Sequence, residues 1–502
     1  MKAVVTTSEH LQAGGHRLDG SYHASDGVEA LRFIRQWAGL LAVPAAPEVG
    51  KARDRTVSYG SLRLDALEEV CVSDGVFIPS RFKRIFVDDP EHGAPYLTGG
   101  SIMQADPLMG AKLLSYRFTQ NMDELALHER MILVTCSGTI GNSVYVNANF
   151  TGAVGSPDLL RVVADPDRIP PGYLYAFLCS HLGKALIEQK TYGAVVSHIE
   201  AHHVTDLPIP RLEPTTEERI HQLIEQAASL WAEENDLISE ARQNLLRENQ
   251  LPALTLDDFY FYGSSRVDRR PGAFVVSSSQ MSRLTVNAWN YGDKFESIRR
   301  RITEGCRHLP LSEVLKPGGY FTGSWYKRIP TSQGHGVELL TQKQLFSLRK
   351  EGNWISLVPI RNLDAEKVTD GMMLIAGVGT MGETEVFGRC EFAWKSFENK
   401  LVVAEVIRVV PDPACIDPGY LFAYLSSDYG FRLLRSTISG TKLCRFIEPL
   451  ALSIPVPLVT SDVQKEIGDQ VRRAYGNRAD ALVLEDKAQS LLAETLEYTI
   501  RQ

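Results

Sequence analysis

The sequence predicts an α+β chain: two β-rich domains related by a pseudo-twofold internal repeat, and two long helices that pair as an antiparallel coiled coil. Three observations predict it. Segments of the first half return in order in the second half. Short apolar, β-branched runs between Gly and Pro turns read as strands. Two long stretches have apolar residues recurring every seven positions, the seam of a coiled coil.

The repeat comes first. MILVTCSGTIG from Met131 returns as MMLIAGVGTMG from Met372, 241 residues later. PGYLYAFLCS (171–180) returns as PGYLFAYLSS (418–427), 247 residues later. FKRI (82–85) is matched by YKRI (326–329), and IPRL (209–212) is echoed by VPLV (456–459). Solenoid repeats have periods of roughly 20–50 residues, so this is a duplicated domain. Each repeat opens on a lead-in segment: VVTTS (4–8) and RLDGSYH (17–23) in one, VVSSS (275–279) and RLTVNAWNY (283–291) in the other.

A mixed region comes next. MILVT, LLRVVA, MMLIA and LVVAEVIRVV read as strands. Each PGY is expected to start a short helix, because Pro and Gly precede an apolar run of helical spacing. The first long helix is expected from Thr215-Thr216, with Glu218 completing a capping box. Ile224, Trp231, Ile238 and Leu245 form its seam, with Leu223, Leu230 and Leu237 beside it. The second begins at Ser461-Asp462. Ile467, Ala474, Ala481 and Ala488 share one register and Leu484, Leu491 and Tyr498 another, while Gly468 and Gly476 weaken its start. The expected division is 1–210, lead-in and first β-rich domain; 211–250, helix; 251–458, lead-in and second domain; 459–502, helix.

The chain has 502 residues and seven scattered cysteines without a CxxC pair, which suits a reducing cytoplasm. No apolar run approaches the roughly 20 residues that span a bilayer, and no signal-peptide core is evident at the start. Net charge is −8. Residues 211–250 contribute −5, whereas 295–458 carry +3. Only a phosphate-facing surface must be basic, so this distribution is compatible with DNA but does not establish it.

Apparent catalytic motifs fail against the repeat. Gly377-Val-Gly379-Thr-Met-Gly382 matches GxGxxG, but its counterpart Cys136-Ser-Gly138-Thr-Ile-Gly141 lacks the first glycine. The residues immediately C-terminal to these stretches, ETEVFG and NSVYVN, read as strand, whereas phosphate binding needs a helix N-terminus there. A tight turn between strands is the better reading. His198-Ile-Glu200 and His202 have zinc-like spacing, but matching Ile199-Glu200 to Ile447-Glu448 puts Phe446 opposite His198. No P-loop, GxSxG or HExxH occurs, so neither a catalytic nor a metal site is expected.

The order SGTIG, PGYLYAFL, TYGAVVSHIE (191–200), LPIP, then again GVGTMG, PGYLFAYL, SGTKLCRFIE (439–448), SIPVPL, resembles the specificity (S) subunit of type I restriction-modification systems. The resemblance runs from about Arg17 onward. It implies two target recognition domains, each reading one half of a split double-stranded DNA site, and two helices that fix their separation. It also implies a non-catalytic chain in the cytoplasm. Methyltransferase subunits, expected as two copies, would carry S-adenosylmethionine, and restriction subunits would use ATP and Mg. This chain would bind no cofactor itself. Three alternatives stay open: a DNA-recognition subunit of another phage-defence complex, a nuclease or methyltransferase acting alone, and a protein-only scaffold.

For DNA contact, the repeated basic-aromatic segments rank first: Arg81, Lys83 and Arg84, then Trp325, Tyr326, Lys327 and Arg328. The polar turn residues Ser137, Thr139 and Thr380 rank second. Tyr192, Ser197 and His198, with Lys442 and Arg445, form the late loops. Residues 101–130 and 342–371 share little, so each half is expected to present a different reading surface.

Overall fold

The computed structural model describes residues 26–37, 63–191, 198–255, 258 and 274–501. The lead-in segments at 4–8 and 17–23 lie outside the described residues. The chain forms two compact units. The first contains residues 1–102, 113–232 and 480–502; the second contains Met103–Lys112 and Glu233–Ala479. The division therefore runs through both long helices. No helix among the described residues is long and apolar enough to cross a membrane.

In chain order the first repeat runs α1 (Asp26–Trp37), β1 (Leu64–Ala66), β2 (Cys71–Phe77), β3 (Phe86–Val87), β4 (Gly93–Leu97), β5 (Lys112–Ser115), α2 (Met122–Leu125), β6 (Ile132–Thr135), β7 (Ser143–Tyr145), β8 (Val154–Gly155), β9 (Leu159–Ala164), α3 (Pro171–Cys179), α4 (His181–Gln189), β10 (Pro208–Pro210) and α5 (Pro214–Glu248). The second runs α6 (Asp293–Gly305), β11 (His308–Pro310), β12 (Leu315–Thr322), β13 (Val337–Leu340), β14 (Asn353–Ile355), α7 (Leu363–Glu366), β15 (Met373–Ala376), β16 (Val378–Gly379), β17 (Cys390–Phe392), β18 (Lys400–Val402), β19 (Val406–Pro411), α8 (Pro418–Leu425), α9 (Asp428–Arg435), β20 (Ile438–Ser439), β21 (Cys444–Phe446), α10 (Glu448–Leu452), β22 (Pro455–Pro457) and α11 (Ser461–Arg501).

The duplication is visible in the topology. The sheet β2-β9-β6-β7 of the first unit has the same order as β12-β19-β15-β17 of the second. The parallel pair β4–β8 recurs as β13–β18, and β1–β10 as β11–β22. The central strands are buried on both faces, which is why MILVT and MMLIA lack polar alternation. Met373 and Ile375 pack with α8, whereas Leu374 and Ala376 pack with β13 and β18 on the other face. That is the period of 2 expected of a strand between two layers. After Pro171 and Pro418, α3 and α8 are apolar all round and almost wholly buried. Tyr173 and Tyr420, at equivalent places, donate their hydroxyls to the carbonyls of Pro210 and Pro457.

All eight residues of the two principal expected seams are buried. In the second unit the helices run antiparallel: Asn244 Nδ2 donates to Gln470 Oε1 (3.0 Å), while Glu234, ten residues earlier in α5, pairs with Arg478. In the first unit, Trp231 Nε1 donates to Glu485 Oε1 at 3.0 Å, and Ile220 and Ile224 share a core with Ala488, Leu492 and Leu496. Two details differ from expectation. Thr215-Thr216 and Glu218 do not cap α5. Instead buried Glu217 turns back to accept from Leu212 N and pair with Arg211, each at 2.8 Å. The Glu217 carboxylate, with Asp65, raises the Arg211 pKa. α11 also runs unbroken through Gly468 and Gly476.

Gly468 is there for contact. A Cβ on it would lie 1.9 Å from Asp417 Oδ1, and one on Gly419 would lie 2.6 Å from the Gly468 carbonyl. Backbone meets backbone where α8 crosses α11. Gly468→Ala is therefore expected to cost about 1–3 kcal/mol by overpacking, despite alanine's better helix propensity. A thermal melt checks this; a stabilised variant would contradict it.

One polar cluster lies inside the second unit. Arg478 bridges Glu234 (2.5 Å) and Glu391 (2.7 Å), and Lys350 Nζ reaches Glu391 at 3.0 Å. Burial pushes the Lys350 pKa down to about 8, with Glu391 opposing the shift. Above that value the folded chain releases this proton, while the unfolded chain holds it to about 10.5. The unfolded state then binds more protons, so stability should rise between these pH values. Lys350→Met should lose that rise in a comparison of urea midpoints across the window.

Candidate nucleic-acid interface

Three of the segments singled out in the sequence meet in each unit, at the same end of the four-stranded sheet. In the first unit Arg84 Nη2 binds Asp158 Oδ2 at 3.2 Å, and its guanidinium lies 5.6 Å from the Tyr96 ring centroid. The Asp158 carbonyl accepts from Cys136 N at 3.2 Å. The next residue, Ser137, forms a β-bridge to His198, and Ile199 N donates to the Cys136 carbonyl. In the second unit Arg328 Nη2 binds Glu405 Oε2 at 3.3 Å, and the Glu405 carbonyl accepts from Gly377 N at 3.1 Å. Val378 then pairs with Arg445, and Gly379 with Cys444.

Neither basic-aromatic segment is a strand. Residues 81–85 and 323–329 are irregular, extended linkers after β2 and β12. Phe82 and Tyr326 anchor them, Phe82 against Ala94, Tyr96 and Leu114, and Tyr326 against the core of β13, β15 and β18. Burial raises the Tyr326 hydroxyl pKa. Tyr326 is thus a half-buried anchor rather than a fully presented contact residue. Arg81, Lys83, Lys327 and Trp325 point outward, Trp325 at 72% exposure. Arg84 and Arg328 are also exposed, but each is tethered to its acid.

Thr139 and Thr380 are exposed and Ser137 is half-buried. Lys442 and Arg445 are exposed, Lys442 at the tip of the β20–β21 hairpin. Tyr192 and Ser197 lie outside the described residues. Two readings of this region change. The strand register sets His198 opposite Arg445, not Phe446, since Ser137 and Val378 are the paired positions. ETEVFG is a run of turns, with β17 starting only at Cys390. The GxGxxG stretch is therefore not a tight turn: β16 pairs with β21, and a long loop leads on to β17. In the first unit the corresponding link is short, with Gly138 and Gly141 at φ +78° and +83°.

The residues that order this surface lie outside the set that the sequence predicts. Arg161 is fully buried in β9 and donates to the carbonyls of Gly155 (2.7 Å), Ser156 (3.1 Å) and Leu159 (2.6 Å), the turn that carries Asp158. Burial lowers its pKa to about 10. Arg408, equally buried in β19, reaches the Val402 carbonyl (3.2 Å) and Glu366 (3.3 Å) beside Glu405. The signal was present: Asp158-Leu-Leu-Arg161 and Glu405-Val-Ile-Arg408 recur 247 residues apart, each with an arginine inside an apolar strand. Gln342 was missed as well; its amide clasps Val378 through both N (3.0 Å) and O (2.9 Å).

No family model matches this chain, and no curated protein matches it. Among solved structures, it is similar to the type I restriction-modification S subunit from M. genitalium: 14% identity, 87% of this chain and 96% of that chain covered, TM-score 0.37. It is also similar to the HsdS subunit from Thermoanaerobacter tengcongensis (14% identity, 87% and 97% covered, TM-score 0.26). A structure describing complex assembly and conformational transition of the type I R-M system matches at 15% identity, with 86% and 97% covered and a TM-score of 0.26.

Proposed function

We propose that this chain is the DNA-specificity subunit of a type I restriction-modification system, non-catalytic itself and working in the cytoplasm. One observation carries the reading. In both units a buried arginine orders an acid, the acid tethers a cationic linker, and that linker lies beside a polar turn paired to a late loop. The supporting frame, with Thr139 and Thr380 at equivalent places, is the same twice, while neighbouring residues differ: Ser137 and His198 in one unit stand where the other has Val378 and Arg445, with Lys442 beside them. Two frames with unlike surfaces suit two unlike half-sites, so the target is an asymmetric, bipartite sequence in double-stranded DNA.

Exposed Arg81, Lys83, Lys327, Lys442 and Arg445 suit phosphates, and the polar turn residues suit base edges. The chemistry then belongs to partners: two methyltransferase subunits with S-adenosylmethionine, and restriction subunits using ATP and Mg. Mapping adenine methylation in the host genome with and without this gene tests the reading. The expected result is a split motif with two different halves that vanishes with the gene. A continuous or palindromic motif, or no change, would overturn it.

A further inference from the structure

The offset between the repeats is 241 from Met131 and Met372 to Gly141 and Gly382, then 247 from Tyr145 and Phe392 onward. Six extra residues, 383–388, thus come directly after the turn that holds Thr380. They are built in firmly. Arg435 of α9 donates to the carbonyls of Gly382 (2.9 Å), Glu385 (3.2 Å) and Phe387 (2.6 Å). Arg389 donates to the Glu383 carbonyl at 2.7 Å, and Arg432 pairs with the Glu383 carboxylate at 3.2 Å. The Arg389 and Arg435 guanidiniums lie 4.3 and 3.9 Å from the Phe431 ring centroid.

Against this insertion lies Met103–Lys112, encoded in the first repeat but part of the second unit. Gly110 has φ +69°, and a Cβ there would sit 2.9 Å from the Glu383 carbonyl and 3.0 Å from Thr384 Cα. At its other end the segment forms a β-bridge from Gln104 to Ser347. Ala105 N donates to the Phe346 carbonyl at 3.0 Å and Leu348 N to the Met103 carbonyl at 2.8 Å. Ala105 is buried, and Met109 packs on the core around Phe346. The segment therefore braces both supports of the Val378–Thr380 stretch: residues 342–348, whose Gln342 clasps Val378, and the insertion just beyond Thr380. It packs in the second unit, whereas the divergence of residues 101–130 suggested a surface of the first half.

We infer that Met103–Lys112 positions the Val378–Thr380 stretch that reads DNA in the second unit, so that discrimination at one half-site depends on residues encoded in the other repeat. This rests on the proposed specificity function. The test is methylation mapping in the host with the full chain and its partners. Gly110→Val drives a side chain into the Glu383–Thr384 backbone. A second chain, with residues 105–109 replaced by GSGSG, removes the packing without a clash. Gly334→Val is the control, since Gly334 has φ +80° with nothing within 4 Å of a Cβ.

Both segment variants should methylate sites carrying a mismatch in one half of the motif about tenfold more, relative to the intact site. Mismatches in the other half should be discriminated as before, and Gly334→Val should leave both halves unchanged. Three results would overturn the inference: both halves as strict as in the parent chain with lower total methylation, both halves relaxed together, or the control behaving like Gly110→Val. If the parent chain gives no gene-dependent motif, the specificity reading itself fails, before any variant is compared.

Discussion

Replacing Arg478 by Met should destabilise the fold by about 3–5 kcal/mol, the usual consequence of removing one partner of a buried ion pair. Arg478 is 5% exposed, Glu234 1% and Glu391 4%. Burial pushes the Glu234 carboxyl pKa up, and Arg478 is the main group opposing that shift. Without the guanidinium, Glu391 keeps Lys350, but Glu234 loses its ion-pair partner. Adding Glu234→Gln to the variant should recover much of the loss, because no uncompensated charge then remains inside. Urea unfolding at pH 7 with the m-value held constant measures both. A loss below about 1 kcal/mol would mean that this buried cluster behaves like a surface pair. The corresponding position of the first repeat is Trp231, which donates to Glu485 instead. The two repeats therefore fill one helix position with different polar pairings.

Removing Lys327, Lys442 and Arg445 together should weaken DNA binding on every duplex alike and flatten its dependence on log[salt] by up to about 2.7, at roughly 0.9 for each phosphate no longer neutralised. Arg328→Ala is expected to do less through direct charge, since Arg328 is held by Glu405 at 3.3 Å. Its effect should come from releasing the linker. Fluorescence anisotropy over roughly 50–200 mM salt distinguishes the two. An unchanged slope for the triple variant would remove these residues from the interface. Thr380→Ala should show the opposite pattern, with the slope retained and preference lost at few positions.

Much of the architecture was legible in the sequence because it rests on periodicity. The seam Ile224, Trp231, Ile238 and Leu245 follows the heptad, and MILVT and MMLIA follow from burial on both faces. Neither the GxGxxG nor the HxE pattern is retained in the other repeat, where Cys136 stands for Gly377 and Arg445 for His198. The site was only partly legible. Lys83 and Lys327 stood out as cations, but nothing local distinguishes them from Arg84 and Arg328, whose acids lie 74 and 77 residues away in sequence. Tyr326 is half-buried against the core of β13, β15 and β18, and an aromatic beside lysines gives no sign of which way it turns.

By itself, the sequence determined the repeat, the strands and long helices, and the set of polar residues from which a reading surface could be drawn. These are properties of spacing along the chain, and burial patterns at periods of 2, 3.6 and 7 are written locally. Only the tertiary structure decided which cations are tethered, that Arg161 and Arg408 order the acids that tether them, and that Met103–Lys112 belongs to the second unit. Those outcomes depend on close approach between residues far apart in sequence, such as Gly110 against Glu383 and Thr384. Such approaches have no period, so no local pattern announces them.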